Sequence, residues 1–220
     1  MKDLKTQGFQ RIELVAVLAV LTLLALVVWP TLAASRSQSI MVECGANLRR
    51  VGQGFQVWSA SHGDQFPWMV PSASGGSQGA AQAYQHFLVV SNEFGTPRFL
   101  FCPADGSTQF RAASFGSFGV NNLSYFAGLH GSLDQPRAWL AGDHYLTGLT
   151  NQFCSVALNS VASLVPTNTA TWDARGHGGC GNLLLTDGSV RPLSNRELTN
   201  ALNAAVAQAP EQAVHIQISP

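Results

Sequence analysis

An uncharged run of 21 residues, Leu14–Ala34, is the feature that most restricts how this 220-residue chain can fold. At a rise of 1.5 Å per residue, a helix of this length spans about 30 Å, the thickness of a bilayer's hydrocarbon core. The run is also longer than the apolar part of a cleaved secretory signal, which has about 7–15 residues. It therefore predicts a transmembrane helix, with a plain signal anchor as the simplest alternative.

Basic residues precede the apolar run, at Lys2, Lys5 and Arg11. Positive charge ahead of a first span keeps the N-terminus in the cytoplasm. The sequence therefore predicts a single-pass membrane protein, with the chain after Ala34 on the outer side of the inner membrane. The formal net charge is zero, and because no basic surplus marks a nucleic-acid surface, no nucleic-acid partner is expected.

The apolar pattern after the span predicts that the helix continues to about His62. Apolar residues recur with alternating spacings of four and three, which is typical of one helical stripe: Cys44, Leu48, Val51, Phe55 and Trp58. Gly63 and Pro67 are expected to end the helix. Pro30 is expected to kink it, because proline removes a backbone donor and clashes with the preceding turn.

The remainder of the chain alternates short apolar runs with turn-rich stretches. These runs are predicted as strands, at residues 86–90, 98–102, 138–142, 182–186 and 189–193. The fold class is therefore α+β, with a long N-terminal helix on a small, mostly antiparallel sheet. Asp187-Gly188 predicts a two-residue type I′ hairpin turn between the last two strands, and residues 75–81 are interpreted as a flexible surface loop.

The N-terminal segment resembles the prepilin signal of type IV pilins and type II secretion pseudopilins. A basic leader ends in Gly8, Phe9 follows, Glu13 comes four residues later, and Pro30 lies within the apolar run. The resemblance implies that a prepilin peptidase cleaves between Gly8 and Phe9 and that Phe9 becomes N-methylated. It also implies a bacterial inner-membrane protein with a leader at 1–8 and a transmembrane segment at 9–34. Residues 35–220 would form a periplasmic or extracellular pilin-like globular domain that includes the second half of the long helix. Gln10-Arg11 departs from the usual residues of that family.

Glu13 has a physical role under this resemblance. A carboxylate in apolar surroundings is costly unless it is paired. In a filament, Glu13 of one subunit is expected to meet the new amine on Phe9 of its neighbour, whereas in the alternative it reaches the membrane interface. Pairing would remove the free-energy cost of an unpaired charge in lipid and would thereby favour assembly.

The C-terminal region resembles a pilin-like family abundant in planctomycetes and verrucomicrobia. His177 is followed by nine residues and then by Asp187-Gly188, which matches the H-X9-DG ending of that family. Residues 44–67 and the segment around Cys102 resemble other parts of the same family. The resemblance covers most of the chain, and it implies a fold more than a biochemical function.

Four cysteines allow three pairings, and spacing alone does not choose between them. We expect disulfides between Cys44 and Cys102 and between Cys154 and Cys180, with free buried thiols as the alternative. No metal ligand is predicted, and His177 is interpreted as a structural or interface residue. Calcium, which some pseudopilins hold in a C-terminal loop, is a weak possibility with Asp143, Asp173 and Asp187 as donors.

These features together predict a structural subunit, not an enzyme, and no cofactor. The expected function is that of a pseudopilin in a type II secretion system, assembling through its N-terminal helix on an inner-membrane platform into a homo- or hetero-oligomeric filament. One alternative is a subunit of a surface type IV pilus for adhesion or DNA uptake. Another is a membrane-anchored periplasmic binding module that uses a prepilin-type signal.

Overall fold

The computed structural model describes residues 11–105, 110–154, 161–208 and 214–218; within these ranges, side chains at 30–34, 153–154, 161–163 and 208 are not described. Gly8 and Phe9 therefore lie outside the described residues. The chain divides into two compact units, Met1–Ser39 and Ile40–Pro220.

The N-terminal helix α1 spans Arg11–Ala60, 50 residues in all. Its end lies close to the expected His62, and Gly63 follows with a φ of 67°. The stripe predicted to be buried is confirmed, since Cys44, Leu48, Val51 and Phe55 are fully buried and Trp58 is 3% exposed. The helix includes Pro30, and the expected kink there stays a prediction.

The second unit contains one seven-stranded sheet with the order β3-β4-β7-β1-β2-β5-β6. Every strand pairing that the structure describes is antiparallel. The strands are β1 Tyr125–Gly128, β2 Trp139–Asp143, β3 Leu146–Cys154, β4 Val161–Trp172, β5 Cys180–Leu185, β6 Val190–Ser194 and β7 Ile216–Gln217. The fold class is thus α+β with a mainly antiparallel sheet, as the sequence predicts.

Both faces of the sheet are covered, and alternate residues of β5 (Cys180–Leu185) show this directly. Leu184 belongs to the core that contains the α1 stripe, whereas Leu183 and Leu185 belong to a second core beneath a C-terminal helix. The helix α1 approaches β5 closely because it carries glycines there. A Cβ on Gly52 would lie 3.0 Å from Leu184, and one on Gly45 would lie 3.3 Å from Asn182.

The C-terminal helix was not predicted, although the sequence signals it. It is α4, Asn195–Gln208, and it buries Leu198 and Leu202. Ser194 donates its backbone N–H to the Glu197 carboxylate at 2.8 Å, which is half of an S-x-x-E capping box. This motif, followed by apolar residues four positions apart, is a helix-start signal in the sequence.

Two predicted strands are wrong. Residues 86–90 belong mostly to the helix α2, Ala83–Val89, which precedes a one-turn helix α3, Ser91–Phe94. Residues 98–102 belong largely to the 3₁₀ turn Pro97–Leu100. Short apolar runs do not distinguish a strand from a buried helical turn, and a proline and a reciprocal Gln82–Gln85 cap bias both segments toward helix. The other three predicted strands are confirmed as β2, β5 and β6.

Candidate functional site

The apolar part of α1 is the first candidate for function. Arg11–Trp29, 19 residues with a mean hydropathy of 2.7, is long and apolar enough to cross a membrane or to belong to a signal sequence. None of this segment is buried inside the protein, and Ile12, Leu26 and Trp29 are 72–79% exposed. Glu13 lies in the first helical turn. An exposed apolar surface of this size is typical of segments that contact a membrane or another protein.

The disulfide between Cys44 and Cys102 is confirmed, with Cα atoms 5.3 Å apart. It joins α1 to the loop that follows the Pro97–Leu100 turn. The expected Cys154–Cys180 disulfide is wrong, because Cys180 is a free cysteine. Strand β3 runs from Leu146, which pairs with Trp172, to Cys154, about 26 Å away at 3.3 Å per residue. Cys180 lies near the opposite end, since a Cβ on the adjacent Gly181 would touch Trp172.

His177 lies in a buried polar cluster next to this disulfide. Its Nε2 atom is 3.3 Å from Cys102 Sγ and 3.4 Å from Asp143 Oδ2. The same carboxylate oxygen accepts hydrogen bonds from the backbone N and from Nδ2 of Asn182, at 2.7 and 3.1 Å. Asn182 Nδ2 also donates to the Met41 carbonyl of α1 at 3.2 Å. The cluster therefore ties α1, β2 and β5 together.

Burial sets the protonation of this cluster. Loss of hydration raises the pKa of Asp143 to about 7, although the hydrogen bonds from Asn182 oppose the shift. Burial also lowers the pKa of His177. Both shifts in pKa favour the neutral forms, a protonated Asp143 carboxyl and an unprotonated His177 imidazole.

A second buried pair lies nearby. His144 Nε2 is 3.2 Å from Asp105 Oδ2, and the Tyr145 hydroxyl donates to Asp105 Oδ1 at 2.6 Å. Burial lowers the pKa of His144, and the Asp105 charge opposes that shift. A cavity of about 10 Å³ lies between the two pairs and is also lined by Cys102 and Cys180. That volume suits one water-sized ligand.

The three aspartates named as calcium donors do not meet in one site. Asp143 belongs to the buried cluster, Asp173 pairs with Arg175 at 2.8 Å, and Asp187 accepts from the backbone N of Ser189 at 2.8 Å in the hairpin turn. Each carboxylate therefore already has a structural contact of its own.

The H-X9-DG residues lie at the two ends of β5, and each end contacts α1. His177 adjoins the disulfide to Cys44, and a Cβ on Gly188 would lie 3.1 Å from Gln56 Nε2. From Cys44 to Gln56 the helix rises about 18 Å, and six strand residues span about 20 Å. The spacing of the motif therefore matches the length over which β5 lies along α1.

The hairpin turn differs from the expected type I′. Gly188 has a φ of 82°, but Asp187 does not have a positive φ. The N–H of Gly188 donates to the Leu185 carbonyl at 3.0 Å, and the N–H of Leu185 donates to the Ser189 carbonyl at 2.9 Å. This is a type I turn extended by one left-handed glycine. Asp187 stabilises it through the Ser189 N–H.

Sequence reasoning missed a polar chain built on Ser77. The Ser77 hydroxyl lies 2.7 Å from His86 Nδ1, and His86 Nε2 lies 2.8 Å from Gln217 Oε1. Gln217 donates its Nε2 to the Ala80 carbonyl, so its oxygen faces His86. His86 Nε2 then carries the proton and Nδ1 accepts from Ser77. All three residues are at least 96% buried. Within the expected flexible surface loop at 75–81, Gly76 and Ser77 are therefore packed into the protein, whereas Gly75 and Ala81 are exposed.

The segment Gly75-Gly76-Ser77-Gln78-Gly79 has the G-x-S-x-G spacing of a hydrolase nucleophile. That motif needs a strand before the serine and a helix directly after it, whereas here a 3₁₀ turn, Ser72–Ser74, precedes it. Burial lowers the pKa of His86 to about 4, which makes this imidazole a poor proton acceptor. The arrangement is that of a structural hydrogen-bond network holding α2 and β7.

An open groove of about 460 Å³ lies between β5, β6 and α4. Its floor is apolar, with Leu183, Leu185 and Leu193, and Arg137 and Arg191 also line it. The volume falls in the range of small-molecule pockets, about 300–1,000 Å³.

Comparisons with known proteins leave the family open. No protein-family model matches this sequence, and neither the curated proteins nor the solved structures give a match to it.

Proposed function

We propose that this protein is a pilin-like subunit that assembles into a filament through its N-terminal helix. The observation that carries the proposal is the 19-residue apolar segment Arg11–Trp29, exposed on every face and bearing Glu13 in its first turn. A membrane accommodates such a helix before assembly. Packing against the same helix of other subunits accommodates it afterwards.

The globular unit supports a structural role. The core shared with the sheet and the Asn182–Met41 hydrogen bond hold the second half of α1 on the sheet. The Cys44–Cys102 disulfide adds a covalent link from this half of α1 to the loop after Pro97–Leu100. A helix held in this way stays fixed to its own subunit when subunits pack together. Within this proposal, a short filament of a type II secretion system is the leading assembly, and a surface type IV pilus is the alternative.

Processing can be tested by intact-mass spectrometry of the N-terminal peptide from native membranes. A mature chain that starts at an N-methylated Phe9 is the expected result, because the resemblance places the cleavage after Gly8. A chain that still starts at Met1 would contradict prepilin processing.

Assembly can be tested by substituting Glu13→Gln and cross-linking subunits in intact cells. The cross-linked oligomers are expected to fall at least about tenfold, because breaking a charge pair in apolar surroundings costs more than about 1.4 kcal/mol. Glu43→Gln is the matched control, since Glu43 is an exposed carboxylate farther along the same helix. Equal oligomer yields from the two variants would overturn the role given to Glu13.

The second candidate function is a membrane-anchored binding module, which the Arg137–Arg191 groove favours. An apolar floor beside two arginines suits a ligand with an apolar body and an acidic group. Arg137→Ala with Arg191→Ala would then impair function while leaving oligomers intact. The filament proposal expects the reverse dependence, on Glu13 and not on the groove.

A further inference from the structure

His177 lies beside the Cys44–Cys102 disulfide, and its distance from Cys102 is that of two metal ligands. The sulfurs of Cys44 and Cys102 and a ring nitrogen of His177 all lie within 4.8 Å of one another. Cys102 Sγ and His177 Nε2 are 3.3 Å apart. In a tetrahedral zinc site, with Zn–S near 2.3 Å and Zn–N near 2.0 Å, sulfur and nitrogen ligands are about 3.5 Å apart. The observed distance is close to that value.

The ligand atoms are shielded from water. Cys44 is fully buried, Cys102 is 4% exposed, and the His177 side chain is 3% exposed. Reduction of the disulfide would leave two thiols facing this imidazole. Two zinc-bound sulfurs are about 3.8 Å apart, so zinc can bind both sulfurs only after the disulfide is reduced.

Cys180 lies at the same cavity and has a thiol that could act as a further ligand. It is a free cysteine and lines the same cavity of about 10 Å³ as Cys102 and His177. The two residues between His177 and Cys180 are glycines with φ values of 68° and 84°. These positive φ angles turn the chain so that His177 and Cys180 face one cavity. Three cysteines and one histidine form a common structural zinc set.

We propose that the reduced chain binds one Zn²⁺ through Cys44, Cys102, Cys180 and His177. The disulfide and the zinc complex are then alternative states of one site. To pass from zinc complex to disulfide, the Cys44 and Cys102 thiolates give two electrons to a disulfide oxidant. The oxidant takes up two protons and becomes a dithiol, and Zn²⁺ leaves to solvent. A newly made chain, whose cysteines start reduced, would enter the zinc state first.

The test is a Zn²⁺ titration of the full chain in detergent, reduced with a phosphine, against a chromophoric chelator. Reduced wild type is expected to bind one equivalent, and the oxidised chain is expected to bind none at this site. His177→Ala should weaken binding more than about 100-fold, because loss of an outer-sphere partner alone costs about 10–100-fold. Co²⁺ in place of Zn²⁺ should give the visible bands of a tetrahedral thiolate site.

Two cysteine variants keep the test decisive if His177→Ala fails to fold. Cys180→Ser leaves the Cys44–Cys102 disulfide available, so its fold can be verified in the oxidised state by circular dichroism. It should weaken Zn²⁺ binding in the reduced state. Cys154→Ser is the matched control and should bind as wild type does. No binding by the reduced wild type, or equal weakening in Cys180→Ser and Cys154→Ser, would overturn the proposal.

Discussion

The two parts of α1 have the same backbone and opposite relations to their surroundings. In Arg11–Trp29, apolar side chains occupy every face and none is buried inside the protein. From Ile40 to Ala60, apolar residues form one buried stripe, and polar residues such as Arg49 and Arg50 are exposed. A helix apolar all round needs apolar solvent, whereas a striped helix needs one partner surface. The pattern of apolar residues therefore specifies what must surround each half.

The largest expected difference between the two halves of α1 is in their tolerance of an introduced arginine. Leu21→Arg puts a charge into the apolar segment, where it should cost about 3 kcal/mol of membrane insertion. Val57→Arg makes a charge on the exposed side of the second half, since Val57 is 63% exposed, and should change the free energy of unfolding by less than about 0.5 kcal/mol.

Insertion of Leu21→Arg can be measured as the fraction resistant to alkaline extraction of membranes, and Val57→Arg serves as its control. Full insertion of Leu21→Arg would argue that the segment does not lie in lipid as a single helix.

Low pH should reduce the free energy of unfolding of the globular unit, because protonation of the buried His86 places a charge in the core. Burial holds its pKa near 4 in the folded state, against 6.5 when exposed. The unfolded chain therefore binds the proton first as the pH falls. The stabilising contribution is complete above pH 6.5 and is lost as the pH falls toward 4, by up to about 3 kcal/mol.

Urea unfolding of the wild type and of His86→Gln across pH 4–7 measures this contribution. The wild type should lose stability more steeply, by up to about 1.4 kcal/mol per pH unit. Parallel curves for the two proteins would show that His86 does not stay neutral in the folded state.

The smallest effect concerns a glycine on the buried side of α1. A Cβ on Gly54 would lie 2.2 Å from the Phe94 ring, so Gly54→Ala should overpack the core by about 1–3 kcal/mol. Alanine favours a helix over glycine by about 1 kcal/mol. We therefore expect a net loss of about 1 kcal/mol in thermal or urea unfolding.

Gly116→Ala is the control, because the nearest atom to its Cβ would be 3.7 Å away. A stabilised Gly54→Ala would mean that helix propensity, not packing, governs this position.

Sequence patterns predicted the elements with a long or repeated signal. The five-residue stripe of α1 and the existence of a hairpin at Asp187-Gly188 were predicted in this way, although the turn type of the hairpin was not. The strand predictions for residues 86–90 and 98–102 were wrong, because a run of four or five apolar residues fits both strand and helix patterns. The α4 helix was missed despite its Ser194–Glu197 cap, since its apolar residues are sparse.

By itself, the sequence determined that the chain has an apolar helix long enough for a membrane, a striped continuation and an α+β unit, because these depend on local period and length. Only the tertiary structure decided that Cys102 pairs with Cys44, that Cys180 stays free, and that His177 lies beside both Cys102 and Asp143. These contacts join residues 34 to 75 positions apart, and which of them form depends on how β5 packs along α1. No local sequence pattern specifies contacts between residues so far apart, so the site forms only when the sheet packs against the helix.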